Sequence, residues 1–267
     1  MAKVLLLDNV AREGAAVLER AGHSVEMRNG HHTPEELVCC LQGCAGLIVR
    51  SATRVTAEVL AAAPNLAVVG RAGVGVDNID VAAASRYGVL VVNAPEGNTL
   101  AAAEHTIALM LALARHIPQA VATLRAGRWE RQGFLGVELA GKTLGILGLG
   151  RVGRKVAVRA RALEMRVLAY DPYVSAEEAA RYGAEVAELE RVLQSADFLT
   201  IHLPLTRETR GLISAAALAQ MKPGVRIINA ARGEIIDEAA LAAAVRDGRV
   251  AGAALDVLAH EPCTESP

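Results

Sequence analysis

One run, GKTLGILGLGRVGRKVAVRARALEMRVLAYDPY from Gly141 to Tyr173, restricts the fold of this 267-residue chain more than any other stretch. Its apolar stretch Leu144–Gly148 reads as a strand and leads directly into Gly148, Gly150 and Gly153, the spacing GxGxxG. A stretch of helical period follows, then a second strand, Arg166–Tyr170, that runs into Asp171. Gly148 permits a tight turn, Gly150 lets backbone approach a pyrophosphate, and Gly153 allows close packing of helix on strand. The free N–H groups of the helix N-terminus, Arg151 and Val152 onward, then face the phosphates. A GxGxxG alone is equally a strand–helix turn. Here Asp171 stands 18 positions beyond Gly153, where a carboxylate accepts from the adenosine ribose hydroxyls. Asp171 repels a 2′-phosphate, and Pro172 and Tyr173 follow it in place of an arginine, so NAD is expected over NADP.

Short apolar runs alternate with helical stretches along the rest of the chain. Expected strands are Val4–Asp8, Gly46–Val49, Leu66–Gly70 and Val89–Val92, then Leu144–Gly148, Arg166–Tyr170, Phe198–Ile201, Val225–Asn229 and Ala253–Val257. Continuous apolar runs suit strands covered on both faces, as in parallel α/β sheets. The APEGN turn introduces the longest helical stretch, Thr99 to His116, about 27 Å at about 1.5 Å per residue. Pro118 breaks or restarts it. A helix placed so, between two series of β–α units, joins two domains. The boundaries expected are 1–94 for a substrate-binding domain and 95–267 for a dinucleotide-binding domain.

Composition narrows the function classes. With 52% apolar and 21% charged residues the chain is not intrinsically disordered. A net charge of −1 offers no electrostatic attraction to nucleic acid or to an anionic membrane, and neither is expected as partner. No run approaches the roughly 18 apolar residues of a spanning helix. MAKVLLLDNV lacks the apolar core of a signal peptide, and a cytoplasmic place is expected. Cys39, Cys40 and Cys44 crowd one helical segment and Cys263 is remote; with no spaced second ligand pair, thiols are expected and no metal.

Two further strand ends carry chemistry. Gly70–Asn78 is glycine-rich, and the backbone of Gly73, Val74 and Gly75 suits a small carboxylate nest. Arg50 and Ser51 close another strand and suit a phosphate or carboxylate, with plain surface salt bridging as the alternative for Arg50. Strand C-termini in open α/β sheets collect at one edge, the usual place for ligands.

Together LIVRSAT, VVGRAGVGVDNID, GKTLGILGLGRVGR, INAARGEIIDE and AGAALDV..HEP resemble the D-isomer-specific 2-hydroxyacid dehydrogenases, from about Val4 to Pro262. The resemblance implies an α/β fold of two doubly wound parallel-sheet domains, one flavodoxin-like and one a Rossmann NAD-binding domain. It implies NAD-dependent oxidation of 3-phospho-D-glycerate to 3-phosphohydroxypyruvate, the first step of serine biosynthesis. Arg232 matches the arginine that grips the substrate carboxylate and polarises its carbonyl. Glu261 matches the acid that orients a catalytic histidine. Arg50, Ser51, Asn98 and the Gly73–Gly75 backbone match substrate positions. Arg151, Val152, Asp171, Leu203, Ala230, Ala231, Arg232 and Asp256 match cofactor positions, with Val74 counted for both ligands. Val74 and Leu203 offer only backbone where relatives often place Thr.

The family's base is a histidine in a Pro-His-x-Gly context beyond the Glu-Pro, and the chain contains no such sequence. Its histidines are His23, His31, His32, His105, His116, His202 and His260, none at that position. Five expected Rossmann strands leave the last one missing. The reading is a C-terminally truncated member, inactive or severely impaired. A catalytically silent NAD-binding or subunit-interaction protein is the alternative. The long helix and the GRWERQGFLGVEL segment resemble the family's dimer-forming region, so a homodimer, or a hetero-oligomer with full-length subunits, is expected.

Overall fold

Apolar runs pair in parallel to build two separate sheets in the computed structural model, which describes residues 1–30, 32–130, 132–261 and 263. His31, Pro262 and residues 264–267, which entered the sequence reading, lie outside the described residues. The chain divides into Met1–Asn98 and Thr99–Pro267, four residues later than the 94/95 boundary read from sequence.

The first unit runs β1 (Lys3–Leu6), α1 (Arg12–Arg20), β2 (Ser24–Met27), α2 (Pro34–Cys40), β3 (Gly46–Val49), α3 (Ala57–Ala61), β4 (Val68–Arg71), α4 (Val81–Arg86) and β5 (Leu90–Asn93). Its strand order, β2-β1-β3-β4-β5, is the flavodoxin-like order. Leu5, Leu7, Leu47, Val49 and Val69 bury on one face with α2, α3 and α4, while Val4 and Leu6 pack with Ala15 of α1. Strand β2 was not expected, because Ser24 and Glu26 interrupt its apolar content, as suits an edge. Cys40 and Cys44 are buried thiols and Cys39 is exposed.

The second unit opens with α5 (Thr99–Ala114) and α6 (Ile117–Arg125), followed by β6 (Thr143–Leu147), α7 (Arg151–Ala162), β7 (Arg166–Tyr170) and α8 (Ala176–Ala180). It continues with β8 (Glu185–Val186), α9 (Leu189–Ser195), β9 (Phe198–Ile201), α10 (Ala215–Gln220), β10 (Val225–Asn229), α11 (Glu238–Arg246) and β11 (Val250–Leu255). Its order, β11-β10-β9-β6-β7-β8, is the six-stranded Rossmann order read from the far edge. This corrects the expectation of a sheet lacking its last strand. The strand left uncounted is β8, two residues on the opposite edge, too short to show as an apolar run. Strand β11 is the outer strand on its side, and α5 and α11 both pack on it.

Helix starts follow side chains the sequence supplies. Thr33, Thr56, Asp80, Ser175, Ser214 and Asp237 each accept the backbone N–H three residues on, caps worth about 1 kcal/mol apiece. The expected long helix is shorter than read. It stops at Ala114, His116 adopts a left-handed φ of 53°, and α6 restarts with Pro118 in its first turn at a bend of 63°. Helix α5 packs on α7, β10 and β11, so it is a layer of the second unit rather than only a joint. Among the described residues no single helix is long and apolar enough to cross a membrane.

Candidate active site

In the second unit all five residues of β6 are buried, which fixes where the glycine turn begins. Gly148 follows with φ 93°, and a Cβ there would meet the His202 carbonyl at 2.8 Å. A Cβ on Gly153 would collide with the Gly148 carbonyl oxygen, so helix α7 can approach the strand only with glycine here. At Gly150, the residue before α7, a Cβ would meet nothing within 4 Å. That open space beside a helix N-terminus is where a pyrophosphate fits and a side chain would intrude. Arg151, exposed, and Val152, half-buried, form the first turn of α7 behind it.

Asp171 does more than the sequence reading assigned. Its Oδ2 accepts the Leu149 N–H at 2.8 Å and its Oδ1 accepts the Tyr173 N–H at 3.0 Å. The carboxylate thus braces the glycine turn from the end of the next strand. Each oxygen keeps a further lone pair for a ribose hydroxyl.

The ends of β9, β10 and β11 carry the remaining groups. Leu203 is half-buried just beyond β9, beside His202, whose backbone N–H donates to the Leu147 carbonyl at 2.7 Å. The His202 Nε2 lies 3.0 Å from Thr200 Oγ1, and burial pushes its imidazole down to about 4. His202 is therefore neutral near pH 7 and a weak proton acceptor. The folded state refuses a proton that the unfolded chain takes near 6.5, so this group favours unfolding as pH falls from about 6.5 toward about 4. His202→Gln should flatten that part of the stability profile, read from urea midpoints at pH 7.5 and 5; an unchanged profile would contradict the burial.

Asn229, fully buried at the end of β10, was not among the expected site residues. Its Oδ1 accepts the Ala231 N–H at 3.0 Å, and its Nδ2 donates to the Arg232 carbonyl at 2.9 Å. One amide side chain therefore holds the turn Ala230–Arg232, and Arg232 Nη1 donates to the Ala231 carbonyl at 2.7 Å. Asp256, directly after β11, donates its N–H to the Asn229 carbonyl, and its Oδ1 lies 3.1 Å from His105 Nε2 of α5. Glu261 is exposed, and its Oε1 accepts the Leu258 N–H at 3.0 Å. The carboxylate expected to orient a histidine closes its own turn here.

In the first unit Arg50 and Ser51 are exposed and line a cavity of about 380 Å³ with Asp8, Asn9, Gly30 and Ala52. The loop that presents them is tied to Asp8, whose carboxylate accepts from Arg50 N–H at 2.8 Å, Thr53 N–H at 3.1 Å and Thr53 Oγ1 at 2.6 Å. Asn78 completes the tie by donating to the carbonyls of Arg50 and Thr53. Asp8 and Asn9 have φ of 58° and 55°, backbone strain that these bonds offset. The carboxylate nest is narrower than expected, because the Gly73 N–H already donates to the Arg71 carbonyl. The amides of Val74 and Gly75 remain, with the Val74 carbonyl held by Asn93 Nδ2 at 2.6 Å. Asn98 is exposed at the end of the unit.

Residues 107–267 match the family described as D-isomer specific 2-hydroxyacid dehydrogenase, NAD binding domain. The chain belongs to the D-isomer-specific 2-hydroxyacid dehydrogenases. Over 97% of its length it is 52% identical to the D-3-phosphoglycerate dehydrogenase of Archaeoglobus fulgidus, and over 99% it is 53% identical to that of Mycobacterium leprae. The chain spans about half the length of these curated relatives, 49% and 50% respectively. Among solved structures, the TT0316 protein of Thermus thermophilus is 37% identical, with a TM-score of 0.89 over 98% of this chain and 83% of its own. The D-lactate dehydrogenase of Aquifex aeolicus, solved with NAD and lactic acid, is 30% identical with a TM-score of 0.86 over 96% of this chain and 77% of its own. The second unit is thus the NAD-binding domain of a 2-hydroxyacid dehydrogenase, and the open space at Gly150 suits that cofactor.

Proposed function

We propose that the chain serves NAD-dependent oxidation of 3-phospho-D-glycerate to 3-phosphohydroxypyruvate, at the entry to serine biosynthesis in the cytoplasm. Its likeness, along nearly its whole length, to proteins named D-3-phosphoglycerate dehydrogenase carries this reading. Bound NAD supplies the hydride acceptor at its nicotinamide ring. Gly148, Gly150 and Gly153 with the first turn of α7 hold the pyrophosphate, and Asp171 holds the adenosine ribose. The second nucleoside then lies on the β9–β10–β11 side, against Leu203, Ala230, Ala231 and Asp256. Arg232, held by the Asn229 turn, grips the substrate carboxylate and polarises the carbon that loses hydride. Arg50 and Ser51 take the phosphate, and the amides of Val74 and Gly75 serve the anionic end of the substrate.

A second reading, a catalytically silent NAD-binding or subunit-interaction protein, is favoured by the proton acceptors. His202 is half-buried and weakly basic, His260 and Glu261 are exposed, and Glu261 is bonded to its own loop. Exposed Ile117, Val121 and Leu124 of α6, with Trp129 and Leu135 beyond it, support self-association or pairing with longer subunits.

The NAD assignment is tested by titration. Asp171→Ala should weaken NAD binding by about 1.5–3 kcal/mol and narrow the gap to NADP, since a charged acceptor is lost. A folded variant with undiminished NAD affinity would remove Asp171 from the site.

A further inference from the structure

We propose that His105 is a positioning residue, which holds the Asp256 carboxylate toward the nicotinamide half of the cofactor. This rests on the placement of that half beside β11 made above. His105 lies on α5, whose inward side chains are Ala103, Thr106, Met110 and Ala114. These small and apolar residues let α5 lie close on β10, β11 and α7 and bring an exposed position of the helix to the end of β11. There His105 Nε2 meets Asp256 Oδ1 at 3.1 Å, with both side chains about half exposed, 48% and 50%. Among the described residues no other side chain hydrogen-bonds Asp256.

The contact belongs to a connected array. Asp256 N–H is bonded to the Asn229 carbonyl, and the Asn229 side chain sets the Ala230–Arg232 turn. The preceding residue, Glu104, pairs with Arg159 of α7 at 3.5 Å, tying the same turn of α5 to the helix that starts at the glycine loop. An exposed carboxylate on a strand end samples several rotamers. Bonded through Oδ1 to a helix-borne imidazole, Asp256 presents Oδ2 in a narrower range. Oδ2 is then an acceptor for a carboxamide N–H, a donor that ADP-ribose lacks. An exposed histidine on a surface helix has no need of this geometry for folding. Its partner is what gives it a role.

The test compares NADH with ADP-ribose on the 267-residue chain, by fluorescence titration and calorimetric competition. His105→Ala should weaken NADH binding by about three- to tenfold while ADP-ribose affinity stays within about twofold. His105→Gln, which keeps a donor, should restore at least half of the loss. Asp256→Ala should weaken NADH at least as much, and the double variant should show no further loss. Equal weakening of both ligands by His105→Ala would show a general structural effect and overturn the proposal. Unchanged NADH binding in His105→Ala, beside a loss in Asp256→Ala, would overturn it and leave the Asp256 assignment standing. If neither variant moves NADH relative to ADP-ribose, the assignment of Asp256 falls, and the role of His105 with it.

Discussion

With NAD and 3-phosphoglycerate, the 267-residue chain should form NADH at least about 10²-fold more slowly than a relative with its histidine base in place. Hydride leaves a carbinol readily only as the hydroxyl proton is taken up. Positioned bases are typically worth about 10²–10⁴-fold. On the proposed assignment Arg232, whose backbone turn Asn229 holds, still binds and polarises the substrate. Among the described residues His202 is the one histidine directly after a central strand, but burial holds it near 4, where its driving force as a base is small. Glu261 accepts from Leu258 N–H, and among the described residues no imidazole hydrogen-bonds it. The assay follows NADH absorbance with purified chain and includes Arg232→Ala to exclude a contaminating enzyme. Fast turnover that vanishes in that control would identify another base and overturn this expectation.

Gly153→Ala should cost about 3 kcal/mol of stability and abolish measurable NAD binding. The added methyl collides with the Gly148 carbonyl oxygen and lies 3.4 Å from Ile146 Cγ2. Gly148 cannot step aside, because its N–H is bonded to the Tyr170 carbonyl at 2.9 Å and its own Cα faces the His202 backbone. Gly150→Ala is the matched comparison. With nothing within 4 Å of its Cβ, it should fold with the parent's urea midpoint and still bind NAD poorly. A Gly153→Ala chain with the parent midpoint would contradict the close approach of α7 to β6.

What the residues disclosed beforehand depended on how local the signal was. The glycine turn and Asp171 were legible because three glycines and an acid lie within one β–α–β stretch. Strand β3 is legible as an unbroken apolar run, and β9 and β10 as apolar runs interrupted only by Thr200 and Arg226. Strands β2 and β8 were not, since one carries charge at a sheet edge and the other has only two residues. Asn229 carries no signal of its own inside NAARGE, because its role depends on a hydrogen-bonded turn, not on a residue pattern. Asp8 lies two residues beyond β1 and Arg50 directly after β3, at the carboxyl ends of two paired strands, a placement the residue order already carries. His105 could not be found that way. Its partner is 151 residues distant, and only the packing of α5 on β11 brings them together.

The two backbone bonds of Asp171 bear on how such a domain changes its cofactor. If the carboxylate that braces Leu149 and Tyr173 also selects NAD, as proposed, it cannot be exchanged for one purpose alone. A variant that admits the extra phosphate of NADP removes two acceptors from the turn below it. Engineering the preference therefore requires two coupled substitutions: one to welcome the phosphate, and another to give those amides a new acceptor. A lineage altering only the first would trade affinity for both dinucleotides against its new choice. Along such a route the two preferences are separated by a valley of weak binders.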